Sequence, residues 1–178
     1  DFGQTEDGSY YLVMDFLSGM PLNAAIERGQ RFTTATLRTL FQQIGSALDY
    51  VHRKSIVHRD LKPENIFIEI DPHKKEHQAK ILDFGIAGIA REPTLTGTGA
   101  VLGSPLYMSP EQIQGNTKEA DARSDLYSLG IVLFQTLTGE APFMAGDILG
   151  VLYKHIHDPV PLLHERRPAI LWARELQA

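Results

Sequence analysis

The chain has 178 residues, of which 43% are hydrophobic and 22% are charged, a composition typical of one globular domain with a single core. Its formal net charge of −5 argues against a nucleic-acid-binding surface, which needs clustered Lys and Arg. The absence of cysteine from this sequence excludes disulfides, thiolate metal sites and cysteine nucleophiles.

The first predicted elements are a strand and a long helix. Residues 10–16, YYLVMDF, are β-branched, aromatic and apolar, and indicate a strand that the Gly and Pro after it end. A helix is predicted to begin near Thr33 and Thr34, because apolar residues then recur at spacings of three and four and would bury one face. These apolar positions are Leu37, Leu40, Phe41, Ile44, Leu48 and Val51.

The middle of the chain predicts a loop, a hairpin and a second, longer loop. Residues 54–65, KSIVHRDLKPEN, indicate the first loop, and the apolar runs IFIEI and AKILDF after it indicate a β-hairpin with a polar tip. Residues 86–110 are rich in Gly, Thr, Ser and Pro and have no periodicity. A loop of that length in a compact domain is usually functional.

Three helices are predicted in the last third of the chain. Residues 124–138, SDLYSLGIVLFQTLT, are apolar on nearly every side, which predicts a helix buried in the middle of the domain. A second helix is predicted to end at Pro159 and Pro161, and residues 169–178 predict a third. The face of the second helix that is predicted to be buried consists of Ile148, Leu149, Leu152, Tyr153 and Ile156.

The segment HRDLKPEN, residues 58–65, is the most informative part of the sequence. Each of its residues taken alone is more often a solvated loop residue than a catalytic one. Three motifs follow it in order: DFG at 83–85, GSPLYMSPE at 103–111 and DARSDLYSLG at 121–130. Together the four motifs resemble the eukaryotic-type serine/threonine protein kinases, and the bacterial members in particular.

The resemblance implies an α+β, protein-kinase-like fold with a mainly α-helical C-terminal lobe. Residues 1–17 would be a remnant of the N-terminal lobe and the hinge, and residues 18–178 would be the C-terminal lobe, truncated at its C-terminal end. No G-x-G-x-x-G, lysine-bearing strand or glutamate-bearing helix precedes the hinge in this sequence, and the first residue is Asp rather than Met. A large-lobe fragment of a longer protein is therefore expected.

Four residues would carry phosphoryl transfer from ATP if the resemblance holds. Asp60 would accept the proton of the substrate hydroxyl, and Lys62 would balance the charge of the γ-phosphate. Asn65 and Asp83 would supply oxygen ligands to Mg²⁺, a hard cation that prefers oxygen.

The tripeptide DFG occurs twice, and the resemblance assigns metal binding to one copy. The copy at residues 83–85 lies between the catalytic loop and SPE, as in the family, whereas the copy at residues 1–3 is expected to be a coincidence in a turn. His58 and Phe84 match the lower part of the hydrophobic stack that aligns active kinases.

The resemblance also implies an adenine pocket. Met14 matches the gatekeeper position at the back of the pocket, and Asp15 and Leu17 fall at the hinge, whose backbone would bind adenine. Phe67 falls where the family places an apolar residue under the adenine ring. Each of these residues could equally be a plain core residue.

The resemblance further implies regulation by phosphorylation, since an Arg at the position of Arg59 marks family members in which a phosphothreonine of the activation segment pairs with this side chain. Thr96 and Thr98 match a modified pair in bacterial members, although they could be solvated loop residues. Ser104 occupies the position where the family has a Thr or Ser that hydrogen-bonds the catalytic Asp and Lys, with a simple turn residue as the alternative. Glu111 is expected to pair with a late arginine. Candidates for that arginine are Arg166, Arg167 and Arg174.

The sequence therefore predicts an ATP- and Mg²⁺-dependent kinase that acts on Ser and Thr of protein substrates, with self-association and autophosphorylation as further expectations. Residues 1–178 alone are expected to be inactive. A truncated pseudokinase that acts as a binding or scaffold module is the alternative, and a small-molecule phosphotransferase of related fold is a third. We expect a cytoplasmic location, no nucleic-acid partner and no membrane segment in this chain, although the full-length protein could carry a membrane anchor elsewhere.

Overall fold

The computed structural model describes residues 1–70, 77–84, 104–116 and 120–166, which form two small antiparallel sheets and six α-helices. None of the helices in these ranges is long and apolar enough to cross a membrane. The strands are β1 Phe2–Gln4, β2 Tyr10–Leu12, β3 Gly19–Pro21, β4 Ile66–Ile70 and β5 His77–Ile81. The helices are α1 Leu22–Glu27, α2 Thr34–His52, α3 Pro110–Ile113, α4 Ala122–Thr138, α5 Ile148–His157 and α6 Leu163–Arg166, with short 3₁₀ helices at Pro63–Asn65 and Pro105–Tyr107.

β1 and β2 form a two-stranded hairpin with an exposed apolar face. The rings of Phe2 and Tyr10 stack 5.6 Å apart, yet both are mostly exposed, and Phe16 in the segment after the hairpin is 93% exposed. The strand predicted over residues 10–16 is shorter than expected. The prediction of a turn at residues 1–3 is wrong, because pairing with β2 extends this segment into a strand.

The core lies where α2, the β3–β4–β5 sheet and α4 meet. Helix α2 begins where predicted, and the Thr33 hydroxyl caps it by accepting a hydrogen bond from the Thr36 N–H at 3.1 Å. Its predicted face is buried or half-buried. The core cluster comprises Leu22, Leu40, Ile44, Leu48, Leu61, Ile66, Ile68, Tyr107, Ile131, Val132 and Phe143.

The predicted hairpin is confirmed as β4 and β5, with β3 joined to the other edge of β4. Its tip, residues 71–76, lies outside the described residues. Gln43 on α2 holds the outer edge of β5: its side-chain oxygen accepts from the Ala79 N–H at 2.7 Å, and its nitrogen donates to the His77 carbonyl at 3.3 Å. Because β5 leads directly to Asp83, these two hydrogen bonds position Asp83, the first residue of the second DFG.

Helix α4 is confirmed, and its buried face is partly polar. Leu126 is exposed, whereas Ser124, Asp125 and Ser128 are buried. The Ser128 hydroxyl donates to the Tyr107 carbonyl at 2.7 Å, so its burial is compensated by a hydrogen bond. Apart from an exposed stripe at Arg123, Leu126 and Gly130, the helix is therefore buried as predicted, and its polar residues contact the loops beside it.

The predicted loop over residues 86–110 ends in regular structure. Pro105–Tyr107 forms a 3₁₀ helix, and α3 begins at Pro110. The Ser109 hydroxyl and the Gln112 side chain form a capping box at the start of α3. Residues 86–103 of this loop, and the helix predicted over 169–178, lie outside the described residues.

The prediction of which face of α5 is buried is wrong. The helix itself is present, but Leu149 is 72% exposed, and Val151 and His155 are buried instead. Of the five residues predicted to be buried, three are exposed and two are half-buried: Ile148, Leu149 and Tyr153 in the first group, Leu152 and Ile156 in the second.

The reason for the different face is the environment of His155. Its Nδ1 lies 2.8 Å from the Tyr127 hydroxyl, and its ring packs 4.8 Å from that of Phe143. Burial lowers the pKa of His155, so the neutral ring is favoured in this position. A hydrophobicity pattern counts histidine as polar and cannot anticipate these partners.

Candidate active site

The loop over residues 58–65 is anchored to α4 by one buried carboxylate. Asp125 is fully buried, and its two oxygens accept from the backbone N–H groups of His58 and Arg59, each at 2.8 Å. The Nε2 of His52 lies 2.7 Å from the same carboxylate. Sequence reasoning matched the motif that contains Asp125 but gave it no role. The available signal was a charged residue inside an otherwise apolar helix, which must be paired when buried.

Removing this carboxylate should destabilise the protein strongly. Asp125→Ala is expected to lower the free energy of unfolding by about 3 kcal/mol or more, because two N–H groups and His52 would lose their acceptor. Chemical denaturation measures the loss. Asp121→Ala is the matched control: this exposed carboxylate caps the same helix and pairs with Arg123 at the surface, and a loss of about 1 kcal/mol is expected. Equal losses for the two variants would show that Asp125 is not an anchor.

Arg59 has an uncommon backbone conformation. Its φ of +65° lies in the left-handed region, which costs a residue with a long side chain about 1–3 kcal/mol unless the surroundings hold it there. Its N–H donates to Asp125, and its carbonyl accepts from Nε2 of Gln112 at 2.8 Å. Both backbone polar groups of the residue before Asp60 are therefore held by other elements, α4 and α3.

Asp60, Lys62 and Asn65 lie together on this loop. A carboxylate oxygen of Asp60 lies 2.9 Å from Nζ of Lys62, and these side chains are 35% and 22% exposed, so solvent and small molecules can reach the pair. Asn65 is buried, and its side-chain nitrogen donates to the Asp60 carbonyl at 2.8 Å. The amide oxygen of Asn65 is thus the atom that could ligate a cation.

Asp83 follows β5 and is exposed. Its φ of +56° is in the left-handed region, which Asp tolerates better than most residues. The neighbouring Leu82 N–H donates to the Asn65 carbonyl at 2.8 Å, so the two predicted metal ligands lie on segments joined by a backbone hydrogen bond. Among the described residues, no group of three or more His, Cys, Asp or Glu side chains could hold a metal.

His58 connects the two segments. Its Nε2 lies 2.9 Å from the Leu82 carbonyl, and since a carbonyl only accepts, Nε2 carries the proton. Its Nδ1 then accepts from the Asp60 N–H at 3.3 Å. The ring also meets that of Phe84 edge-on, 5.0 Å between centroids, which is the contact that the resemblance implies.

The residues predicted for adenine binding lie on two segments. Met14, at 60% exposure, and Asp15 are exposed after β2, while Leu17 is half-buried. Phe67 is half-buried on β4. Met14 and Asp15 are thus not core residues, which was the alternative for them.

Ser18, the residue directly after the predicted hinge, is attached to β4 through Glu69. This carboxylate lies 2.7 Å from Nζ of Lys80 and accepts from the Ser18 N–H at 2.9 Å. The hydrogen bond from Lys80, and then that from Ser18, hold the pKa of Glu69 below its usual value. The attachment is therefore ionic at neutral pH.

Ser104 forms no hydrogen bond with the catalytic pair in the part of the chain that the structure describes. Its carbonyl accepts from the Tyr107 N–H at 2.9 Å, and its hydroxyl forms no hydrogen bond with Asp60 or Lys62. The role that the resemblance implies for Ser104 stays a prediction.

Glu111 lies on α3 and accepts a short hydrogen bond from the Ser124 hydroxyl. Its partial burial works to raise its pKa, but the hydrogen bonds from Ser124 and the helix backbone outweigh this and leave the pKa below its usual value. Two of the three arginines suggested as partners, Arg167 and Arg174, lie outside the described residues. The ion pair stays a prediction.

The predicted regulatory residues are only partly described. The Arg59 side chain is exposed and lies one residue before Asp60. Thr96 and Thr98 lie outside the described residues, so their phosphorylation stays a prediction.

Most of the chain is similar in sequence to known protein kinases. The protein kinase domain family matches residues 3–170. The chain is 40% identical to the serine/threonine-protein kinase pkn3 of Myxococcus xanthus, over 94% of this chain and 31% of that protein. It is 38% identical both to the serine/threonine-protein kinase PrkC of Bacillus subtilis, over 96% of this chain and 25% of that protein, and to PknA of Mycobacterium tuberculosis, over 92% and 37%. The chain thus spans between 25% and 37% of the length of these relatives.

Proposed function

This chain belongs to the protein kinase family, and on that premise we propose that the protein transfers the γ-phosphoryl group of ATP to Ser and Thr hydroxyls of proteins. We propose further that it does so as part of a longer chain. The observation that carries the proposal is the Asp60–Lys62 pair, at 2.9 Å, on a loop that a buried carboxylate anchors.

The pair would supply two of the polar groups that phosphoryl transfer needs from the protein. The Asp60 carboxylate would orient the substrate hydroxyl and accept its proton, which leaves late in a loose transition state. The Lys62 ammonium would offset the negative charge of the γ-phosphate. Because their nitrogen and oxygen already lie in contact, a hydroxyl held by Asp60 would lie next to a phosphate held by Lys62.

The donor set also fits a magnesium ion that arrives with the nucleotide. Mg²⁺ is usually held by one or two protein oxygens, with waters and phosphate oxygens in its other positions. Asn65 and Asp83 would provide those two oxygens, and the described residues contain no larger cluster of ligands that would hold a metal alone. When bound, the ion would neutralise charge on the phosphate oxygens.

The division into lobes is part of the same proposal. Residues 1–17 would be the last part of the N-terminal lobe and the hinge, and residues 18–178 the C-terminal lobe. The exposed side chains of Phe2, Tyr10 and Phe16 support this division, because a hairpin of this size is only marginally stable unless further strands or helices cover it.

The experiment that tests the function identifies the phosphorylated product. The full-length protein is incubated with γ-labelled ATP, Mg²⁺ and a general protein substrate, and phosphoserine, phosphothreonine and phosphotyrosine are separated after hydrolysis. Label in phosphoserine and phosphothreonine is expected. Label only in small molecules would favour a small-molecule phosphotransferase, and no transfer at all would favour the pseudokinase alternative, a binding or scaffold module.

A further inference from the structure

We propose that Gln112 is a positioning residue for the phosphotransfer reaction, because its side-chain amide fixes the peptide group from which Asp60 extends. The inference rests on the proposed function for its catalytic consequence. The sequence assigns no role to this residue, which lies on α3 directly after Glu111.

The amide of Gln112 has a defined orientation. Its Oε1 accepts from both the N–H and the hydroxyl of Ser109, at 3.0 and 3.1 Å. Its Nε2 donates to the Arg59 carbonyl at 2.8 Å. A flipped amide would place its NH₂ group against the donors of Ser109 and its oxygen against a carbonyl, so the hydrogen bonds determine the assignment.

The Arg59 carbonyl belongs to the peptide group that joins Arg59 to Asp60. The other polar atom of that group, the Asp60 N–H, donates to Nδ1 of His58 at 3.3 Å. Since a peptide group is planar, holding its oxygen and its nitrogen fixes the plane. The Cα of Asp60, from which the side chain extends, lies in this plane, so holding the plane restricts where the side chain can be placed.

The plane needs such support because Arg59 is in the left-handed region. Asp125 holds the two preceding peptide groups, through the N–H groups of His58 and Arg59, but not this one. Without the bond from Gln112, the longer contact with His58 would be the hydrogen bond left to oppose rotation of this peptide group about the bonds on either side of it. A catalytic group displaced by about 1 Å can cost about a hundredfold in rate, so a partial loss of order at Asp60 should be measurable.

The test uses Gln112→Glu in the full-length protein. Glutamate has the same shape and keeps an acceptor for Ser109, but it places an oxygen against the Arg59 carbonyl. We expect kcat to fall about tenfold while KM for ATP stays within about twofold, because the reacting geometry changes and the nucleotide contacts do not. Gln112→Met removes the donor without adding charge and should lower kcat in the same way. It replaces Gln112→Glu in the test if that variant does not fold.

Gln114→Glu is the matched control. Gln114 is exposed at the end of the same helix, so the same chemical change there should leave kcat as it is. Hydrogen–deuterium exchange of residues 58–62 is the second readout, because it reports the order of the loop whether or not the protein is active. Exchange is expected to be faster in both Gln112 variants and unchanged in Gln114→Glu.

The outcomes separate this inference from the proposed function. If the unsubstituted protein transfers no phosphate, the proposed function fails, and exchange alone decides whether Gln112 orders the loop. Unchanged kcat and exchange would overturn the inference. It would also be overturned by a lower kcat with unchanged exchange, which would mean that Gln112 acts elsewhere, and by faster exchange with unchanged kcat.

Discussion

Asp60→Asn in the full-length protein is expected to lower kcat by about 10²–10⁴-fold, because an amide cannot accept the proton of the substrate hydroxyl. The substitution keeps the size of the side chain and removes its negative charge, so the ion pair with Lys62 is lost as well. KM for ATP should change little, since Asp60 would act on the hydroxyl and not on the nucleotide. Steady-state transfer of labelled phosphate to a protein substrate measures both constants.

Asp49→Asn provides the control for this variant. Asp49 is an exposed carboxylate on α2 that also pairs with a basic side chain, Arg53, at 2.8 Å. Such surface pairs contribute about 0–1 kcal/mol, so activity and stability should stay close to those of the unsubstituted protein. Full activity in Asp60→Asn would contradict the assignment of the proton acceptor.

Residues 1–178 alone are expected to show no Asp60-dependent phosphotransfer. The family's template requires a glycine-rich loop over the phosphates and a lysine–glutamate pair, and this sequence contains neither motif. ATP binding should be weak for the same reason. The isolated chain should also self-associate, because the apolar side chains of Phe2, Tyr10 and Phe16 are exposed.

A parallel assay of the full-length protein and of residues 1–178 checks this expectation, with size-exclusion chromatography for the self-association. The Asp60→Asn form of each chain sets the background, so that a contaminating kinase is not mistaken for activity. Phosphotransfer by residues 1–178 that disappears in Asp60→Asn would contradict the prediction. A monomeric elution profile would contradict the expected association.

The residues of the candidate site were predictable because the loop carries them at close spacing. Asp60, Lys62 and Asn65 lie within six positions, and the contacts that join them are local contacts within the loop. The α2 helix and the β4–β5 hairpin were predictable for a similar reason, since each depends on a repeating pattern that one buried face imposes. The position of Asp83 follows from the hairpin that precedes it.

The residues that hold the site in place could not be assigned in the same way. Asp125 and Gln112 are 66 and 53 positions from Arg59, and only the packing of α4 and α3 against the loop brings them to it. Neither contact has a local pattern, because hydrogen bonds between distant segments depend on tertiary geometry. The Asp125 motif could be matched, but its partners could not be read from it.

The amino-acid sequence by itself determined the family, the order of the main helices and strands, and the side chains offered for phosphoryl transfer, because these depend on local spacing and residue chemistry. The tertiary structure alone decided which face of α5 is buried, that the first DFG lies in a strand, and how the backbone at Arg59 is held. The physical reason is the same for all three. Burial and hydrogen-bond partners are set by the segments that pack together. A buried histidine, or an arginine whose backbone lies in the left-handed region, is stable only when those partners are in place.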